Sequence, residues 1–101
     1  MISVKIEDRL RKRFPEVIIT LGLNKPKNFL YLAKLEVPKD KRRKGLGTEA
    51  MMELVRLATE YGYPVELTPT SEWGTPVKAL KRFYKKVGFS EMPNGNMRYG
   101  K

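Results

Sequence analysis

Cysteine and histidine are both missing from this 101-residue chain. Without cysteine there is no disulfide, no thiolate nucleophile and no cysteine-ligated zinc; without histidine as well, zinc catalysis and an imidazole general base are excluded. Any chemistry falls to carboxylates, tyrosine, serine, threonine, lysine or the backbone. Acidic residues are scarce too, 11 Asp+Glu against 21 Lys+Arg, and the formal charge of +10 suits an anionic partner: nucleic acid, an acidic protein surface or a phosphorylated small molecule. No apolar run approaches the roughly 18 residues of a membrane span. The opening MISVKIEDRLRKRF carries charges where a signal peptide has its apolar stretch, so a soluble, cytoplasmic protein with no membrane partner is expected.

What is present is enough to fold. A hydrophobic content of 41% argues against disorder, and the length fits one domain, 1–101, with a single modest core. No repeat, linker or low-complexity segment divides it. Residues 2–7, ISVKIE, alternate apolar and polar and suit either a short strand or the start of a helix through Arg13. VIITLGL and FLYLAKLEV, separated by the turn-rich NKPKN, read as an antiparallel hairpin, closed by Pro38.

Ala50, Met51, Leu54, Val55, Leu57, Ala58 and Tyr61 recur at spacings of three and four, which predicts a helix from about Thr48 to Tyr61, stopped by Gly62. PVELT then reads as a buried strand and PTSEWGTP as a loop. A second helix fits 76–87, with Val77, Leu80, Phe83, Tyr84 and Val87 inward and Lys78, Lys81, Arg82, Lys85 and Lys86 outward. Gly88 ends it, and a final hairpin surrounds PNGN. Strands and helices in this order make an α/β or α+β domain.

Between the hairpin and the first long helix stands KRRKGLG, residues 41–47. A loop leaving a strand and opening a helix presents free backbone N–H groups at the positive end of the helix dipole, and glycine lets an anion approach them closely. Neither common phosphate fingerprint fits: GxxxxGKS/T is absent, and GLGTEA lacks the third glycine of GxGxxG. By itself the loop is equally a basic turn.

The stretches around it occur together in one order. LEVPKDKRRKGLGTEAMMELVRLATEYGYPVEL followed by LKRFYKKVGF resembles the GNAT superfamily of acetyl-CoA-dependent N-acyltransferases over residues 29–89. The family's loop signature, Q/R-x-x-G-x-G/A, is met by Arg42, Gly45 and Gly47 with Leu46 between, and its later signature, a helical tyrosine before GF, by Tyr84, Gly88 and Phe89. The resemblance implies a mixed, largely antiparallel sheet. It implies acetyl-CoA (coenzyme A) as cosubstrate, without a metal, and transfer of its acetyl group to an amine by direct attack. Leu35 and Val37 of the strand would pair with pantetheine; Arg42, Arg43, Lys44, Gly45, Leu46, Gly47 and Thr48 would hold the pyrophosphate. Tyr84 would be the acid for the departing thiolate, and Glu36 is the candidate base. Where many members carry an asparagine after the strand matching PVELT, this chain has Pro69, Thr70 and Ser71, so a polar CoA contact is either lost or made by Ser71. Only residues 1–15 precede the hairpin, so the acceptor side is reduced. Trp73 is a candidate for a wall of that site, for the core or for a lid.

Two other readings use the same residues. The stripe Lys78, Lys81, Arg82, Lys85, with residues 39–44, could contact nucleic-acid phosphates nonspecifically, although no RNP, zinc-finger or KH motif is present. A GNAT-like domain could also bind CoA without catalysis. The acceptor, protein or small molecule, is not encoded in any motif, and a monomer or homodimer is expected.

Overall fold

A computed structural model of the chain describes residues 2–38, 40, 45–69 and 76–100. The first element is a helix, α1 (Ile2–Arg13), which settles the ambiguous N-terminus. Ser3, Ile6 and Leu10 are its buried residues, a stripe of helical period; Val4, which a strand would bury with Ile2 and Ile6, is 51% exposed. Arg11, Lys12 and Arg13 close the helix, where cations favour its negative end.

The expected hairpin follows as β1 (Ile18–Asn24) and β2 (Phe29–Glu36), antiparallel throughout. Its turn is set by Asn24, whose side-chain carbonyl accepts the Lys27 N–H at 3.1 Å, and by Asn28 in the left-handed region at φ 58°. The register slips between Thr20 and Leu21, so that Ala33 has no partner across the ladder. At that bulge the Leu21 N–H donates to the Glu7 carboxylate at 2.9 Å, and α1 is thereby tied to β1.

Helix α2 (Leu46–Tyr61) buries Ala50, Met51, Leu54, Val55, Leu57 and Ala58, as the spacing predicts. Tyr61, assigned to the same face, is 37% exposed, because it is the last helical residue before Gly62 turns the chain at φ 84°. Strand β3 (Val65–Leu67) is buried at all three positions. Helix α3 (Val77–Val87) turns the expected side inward, though no residue of it is fully buried: Phe83, Tyr84 and Val87 partly bury against the core, while Val77 and Leu80 stay half-exposed. The turn at Gly88 needs glycine for two reasons, its φ of 118° and a Tyr99 ring carbon that a Cβ would meet at 2.8 Å. Two short strands, β4 (Ser90–Glu91) and β5 (Met97–Tyr99), complete the sheet.

Strand order is β1-β2-β3-β5-β4, with β2 and β3 parallel and every other pair antiparallel. The mixed, largely antiparallel sheet expected from the resemblance is therefore present. Leu30, Leu32, Val65, Leu67 and Met97 point to one face, where Ile6, Leu10, Met51, Leu54 and Leu57 meet them in the core. Each such side chain contributes about 1.5–3 kcal/mol on burial. Phe29, Tyr31, Glu66 and Arg98 alternate to the other face. No helix among the described residues covers that second face, and the least dimension of 18 Å matches one helical layer on one sheet.

Candidate active site

Strand lengths create the principal feature. β2 runs for eight residues and β3 for three, so the parallel pairing is confined to Leu30–Leu32 against Val65–Leu67. Beyond Leu32 the strands part. The stretch Ala33–Glu36 keeps β1 on one side and has no strand on the other among the described residues. Such an edge offers main-chain donors and acceptors to an extended, amide-bearing ligand.

The edge leads to the N-terminus of α2. Gly45 occupies the N-cap at φ 75°, a left-handed conformation that glycine adopts without a steric penalty, and contributes no side-chain cap. Its carbonyl accepts the Glu49 N–H at 3.0 Å, which leaves the N–H groups of Leu46, Gly47 and Thr48 without an intrahelical acceptor. Sixteen residues of aligned peptide dipoles place partial positive charge there. Gly47 abuts Val37: a Cβ at position 47 would lie 3.4 Å from Val37 Cγ2. The sequence-assigned residues Leu35, Val37, Gly45, Leu46, Gly47 and Thr48 are thus gathered along the end of β2 and the start of α2. Arg42, Arg43, Lys44, Ser71 and Trp73 lie outside the described residues.

Glu36 ends β2, and its carboxylate pairs with Lys34 Nζ at 3.4 Å. Tyr84 sits elsewhere, half-buried on α3 between Phe83 and Phe89, with ring centroids at 5.3 and 5.8 Å. Its backbone carbonyl accepts the N–H groups of Gly88 and Phe89, which fixes the helix end around it. The cationic stripe of α3 is partly compensated, since Lys81 and Lys85 both reach Glu91, at 3.5 and 3.7 Å.

Sequence reasoning did not foresee the group at the point of parting. The Tyr31 hydroxyl bonds to Thr68 Oγ1, and that hydroxyl donates to Asn96 Oδ1 at 2.8 Å. The partners are 37 and 28 residues apart, so no local pattern announces them. Alongside, Glu66 is buried and paired with Arg98, whose guanidinium lies 5.9 Å from the Phe29 ring centroid. Away from this region, hydrogen bonding to Arg56, reinforced by Arg13, pulls the Glu53 carboxyl down to about 2. Among the described residues no group of acidic side chains could hold a metal ion, and no helix is long and apolar enough to cross a membrane.

Comparison with known proteins bears on this arrangement directly. The model of a family described as the acetyltransferase (GNAT) family matches residues 3–89. No curated protein matches in sequence. Among solved structures, the crystal structure of the anti-CRISPR protein AcrVA5 is similar, with a TM-score of 0.69, 21% identity, and coverage of 85% of this chain and 92% of that one. At that identity the likeness speaks for the fold.

Proposed function

The chain belongs to the acetyltransferase (GNAT) family, and from that premise we propose that it binds acetyl-CoA and transfers the acetyl group to an amine by direct attack. One observation carries the reading: a strand edge left without a neighbour among the described residues where β2 and β3 part leads to a helix N-terminus whose first three N–H groups have no intrahelical acceptor. Pantetheine would lie along Ala33–Glu36, bonding to the backbone at Leu35 and Val37. The pyrophosphate would rest on Leu46, Gly47 and Thr48, with Arg42, Arg43 and Lys44 adding charge and Ser71 a polar contact.

Strand geometry then locates the chemistry. Four residues of strand span about 13 Å, close to the length of an extended pantetheine arm, so a pyrophosphate at α2 puts the thioester near Ala33, where the strands separate. Glu36 falls at the pyrophosphate end, and its ion pair with Lys34 belongs there. The acceptor amine attacks the acetyl carbonyl carbon, the C–S bond breaks, and the thiolate takes a proton from Tyr84 on α3. The proton lost by the amine passes to solvent. Burial of the Tyr84 ring against the core supports a fixed placement for this donor.

Tyr84→Phe keeps the ring and removes the hydroxyl. Acetyl-CoA affinity should stay within a few fold while turnover falls by roughly 10². Isothermal titration and a thiol-release assay read the two quantities separately. Turnover within about twofold of wild type would assign Tyr84 to packing alone.

A further inference from the structure

The second face of the sheet holds a shallow groove beside Tyr31, lined in part by Gly22, Pro26 and Phe29. Gly22 stands opposite Tyr31 in the β1–β2 register, and a Cβ built there would meet nothing within 4 Å. Its φ is not in the left-handed region, so the backbone does not demand glycine here. What the missing side chain provides is space next to the Tyr31 ring.

Tyr31 is itself aimed. It pairs with Glu66 across β3 yet bonds to Thr68, two residues further on, so its side chain leans toward the point where β2 and β3 part. The bonds fix the direction of its proton. Asn96 Oδ1 accepts from Thr68, Thr68 therefore accepts from Tyr31, and the phenolic oxygen is left with its lone pairs turned outward. Asn96 is locked in place, its N–H donating to Asn94 Oδ1 at 3.0 Å and its carbonyl accepting the Met92 N–H at 2.8 Å.

Two pairs of charged groups near Tyr31 are already mutually occupied. Glu66 is paired with Arg98, Lys34 with Glu36, and Lys25 borders the far end of the groove. No carboxylate in that set is placed to take a proton from an ammonium.

We infer that this groove is the acceptor site: an uncharged stem bearing a primary amine lies over Gly22 and Phe29, and the Tyr31 hydroxyl accepts a hydrogen bond from its neutral –NH2. The inference rests on the acetyl-CoA reading above. It puts acceptor, thioester, pantetheine and pyrophosphate in one line along β2. Tyr31 forms no covalent bond; it orients the nitrogen lone pair toward the thioester carbon. The N–C bond forms, the C–S bond breaks, and the products are the acetamide and CoA thiol. Thr68 and Asn96 are positioning residues acting through Tyr31. Among the described residues no base faces this side, so the amine arrives deprotonated. The site then favours acceptors whose amine is largely neutral near pH 8, such as an α-amine at about 7.7–8.0, over a lysine-type amine at about 10.4.

Absence of cysteine makes the test direct, because a thiol reagent reports only released CoA. Acetyl-CoA is combined with alaninamide or with Nα-acetyl-lysine amide over pH 6.5–10, and acetyl-CoA affinity is measured in parallel. Tyr31→Phe should lower amine-dependent kcat/KM about 30-fold with acetyl-CoA Kd unchanged within twofold. Gly22→Val should raise the amine KM about tenfold and leave kcat nearly alone. Thr68→Val should lower kcat, with Thr68→Ser restoring it. The alaninamide profile should level near its own amine pKa of about 8, while the lysine analogue still climbs above pH 9.

A Tyr31→Phe rate within twofold of wild type would overturn the inference, as would loss of acetyl-CoA binding together with turnover. So would two amine profiles that level at one shared pH, because that would reveal a base in the protein. A wild-type chain that binds acetyl-CoA but releases no thiol with either amine overturns the acceptor site and leaves the cofactor reading standing. Failure to bind acetyl-CoA at all removes both.

Discussion

At Glu36 two roles compete, and position separates them. A strand carboxylate near a thioester would serve as a base, yet this one stands at the end of β2 that meets the glycine loop and already faces Lys34 at 3.4 Å. An ion pair this exposed contributes about 0–1 kcal/mol to stability. Glu36→Gln is accordingly expected to leave amine-dependent turnover within threefold and melting almost unchanged, measured by thiol release and by thermal denaturation. A drop of 10² would return the base to Glu36. Gly47 shows how far one position can be read from sequence: the glycine pair and the cations ahead of it are legible as a basic turn or a candidate anion site. The contact of Gly47 with Val37 is not, since it is a tertiary contact between the chain just past β2 and the first turn of α2. Tyr31 is legible only as a strand residue. Its partners come from the end of β3 and from the last hairpin turn, and nothing in FLYLAKLEV points to either.

Helices and strands were legible wherever one hydrophobic period ran long enough to exclude the other. Sixteen residues of α2 satisfy only the helical period, and Gly62 and Gly88 mark real helix ends in left-handed conformations. Residues 2–7 fit both periods, and only the longer stripe through Ile6 and Leu10 decides for a helix. The bulge at Ala33, a register shift in the β1–β2 ladder, leaves no trace in composition. For α3 the period marked the inward side but carried no depth of burial, because amphipathicity does not say how closely a helix rests on its neighbours.

The α1–α2 contact adds an electrostatic prediction. Glu53 of α2 meets Arg13 of α1 at 2.9 Å and Arg56 at 2.6 Å, and its carboxyl lies at about 2 rather than 4.5. A depressed carboxylate stabilises the fold above pH 4.5 and loses that contribution as pH falls toward 2. Both guanidinium groups are well exposed, at 63% and 59%, so solvent screening reduces the contribution to about 1 kcal/mol. Glu53→Gln should lower the Tm by about 5 °C at pH 7 and flatten its fall between pH 4.5 and 2. An unchanged acid limb in the variant would mean that the triad is without energetic effect.

The whole molecule is a thin sheet-and-helix layer on which one strand organises the proposed chemistry from end to end. Its charge of +10 would draw an anionic cosubstrate toward the α2 N-terminus, and salt would weaken that steering. Everything downstream, from Tyr84 to the Tyr31 groove, depends on acetyl-CoA lying along the open edge of β2 with its pyrophosphate on Leu46, Gly47 and Thr48. Calorimetric titration of acetyl-CoA into wild type, Gly47→Ala and Gly47→Asp tests that placement. The fold should tolerate both substitutions, since the added Cβ meets Val37 at 3.4 Å, an ordinary contact. Wild type should bind one equivalent, and Gly47→Asp, which brings bulk and a like charge to the phosphate, should bind at least tenfold more weakly, roughly 1.4 kcal/mol, with alanine between them. Equal affinity in all three folded proteins, or no binding by wild type, would contradict the account.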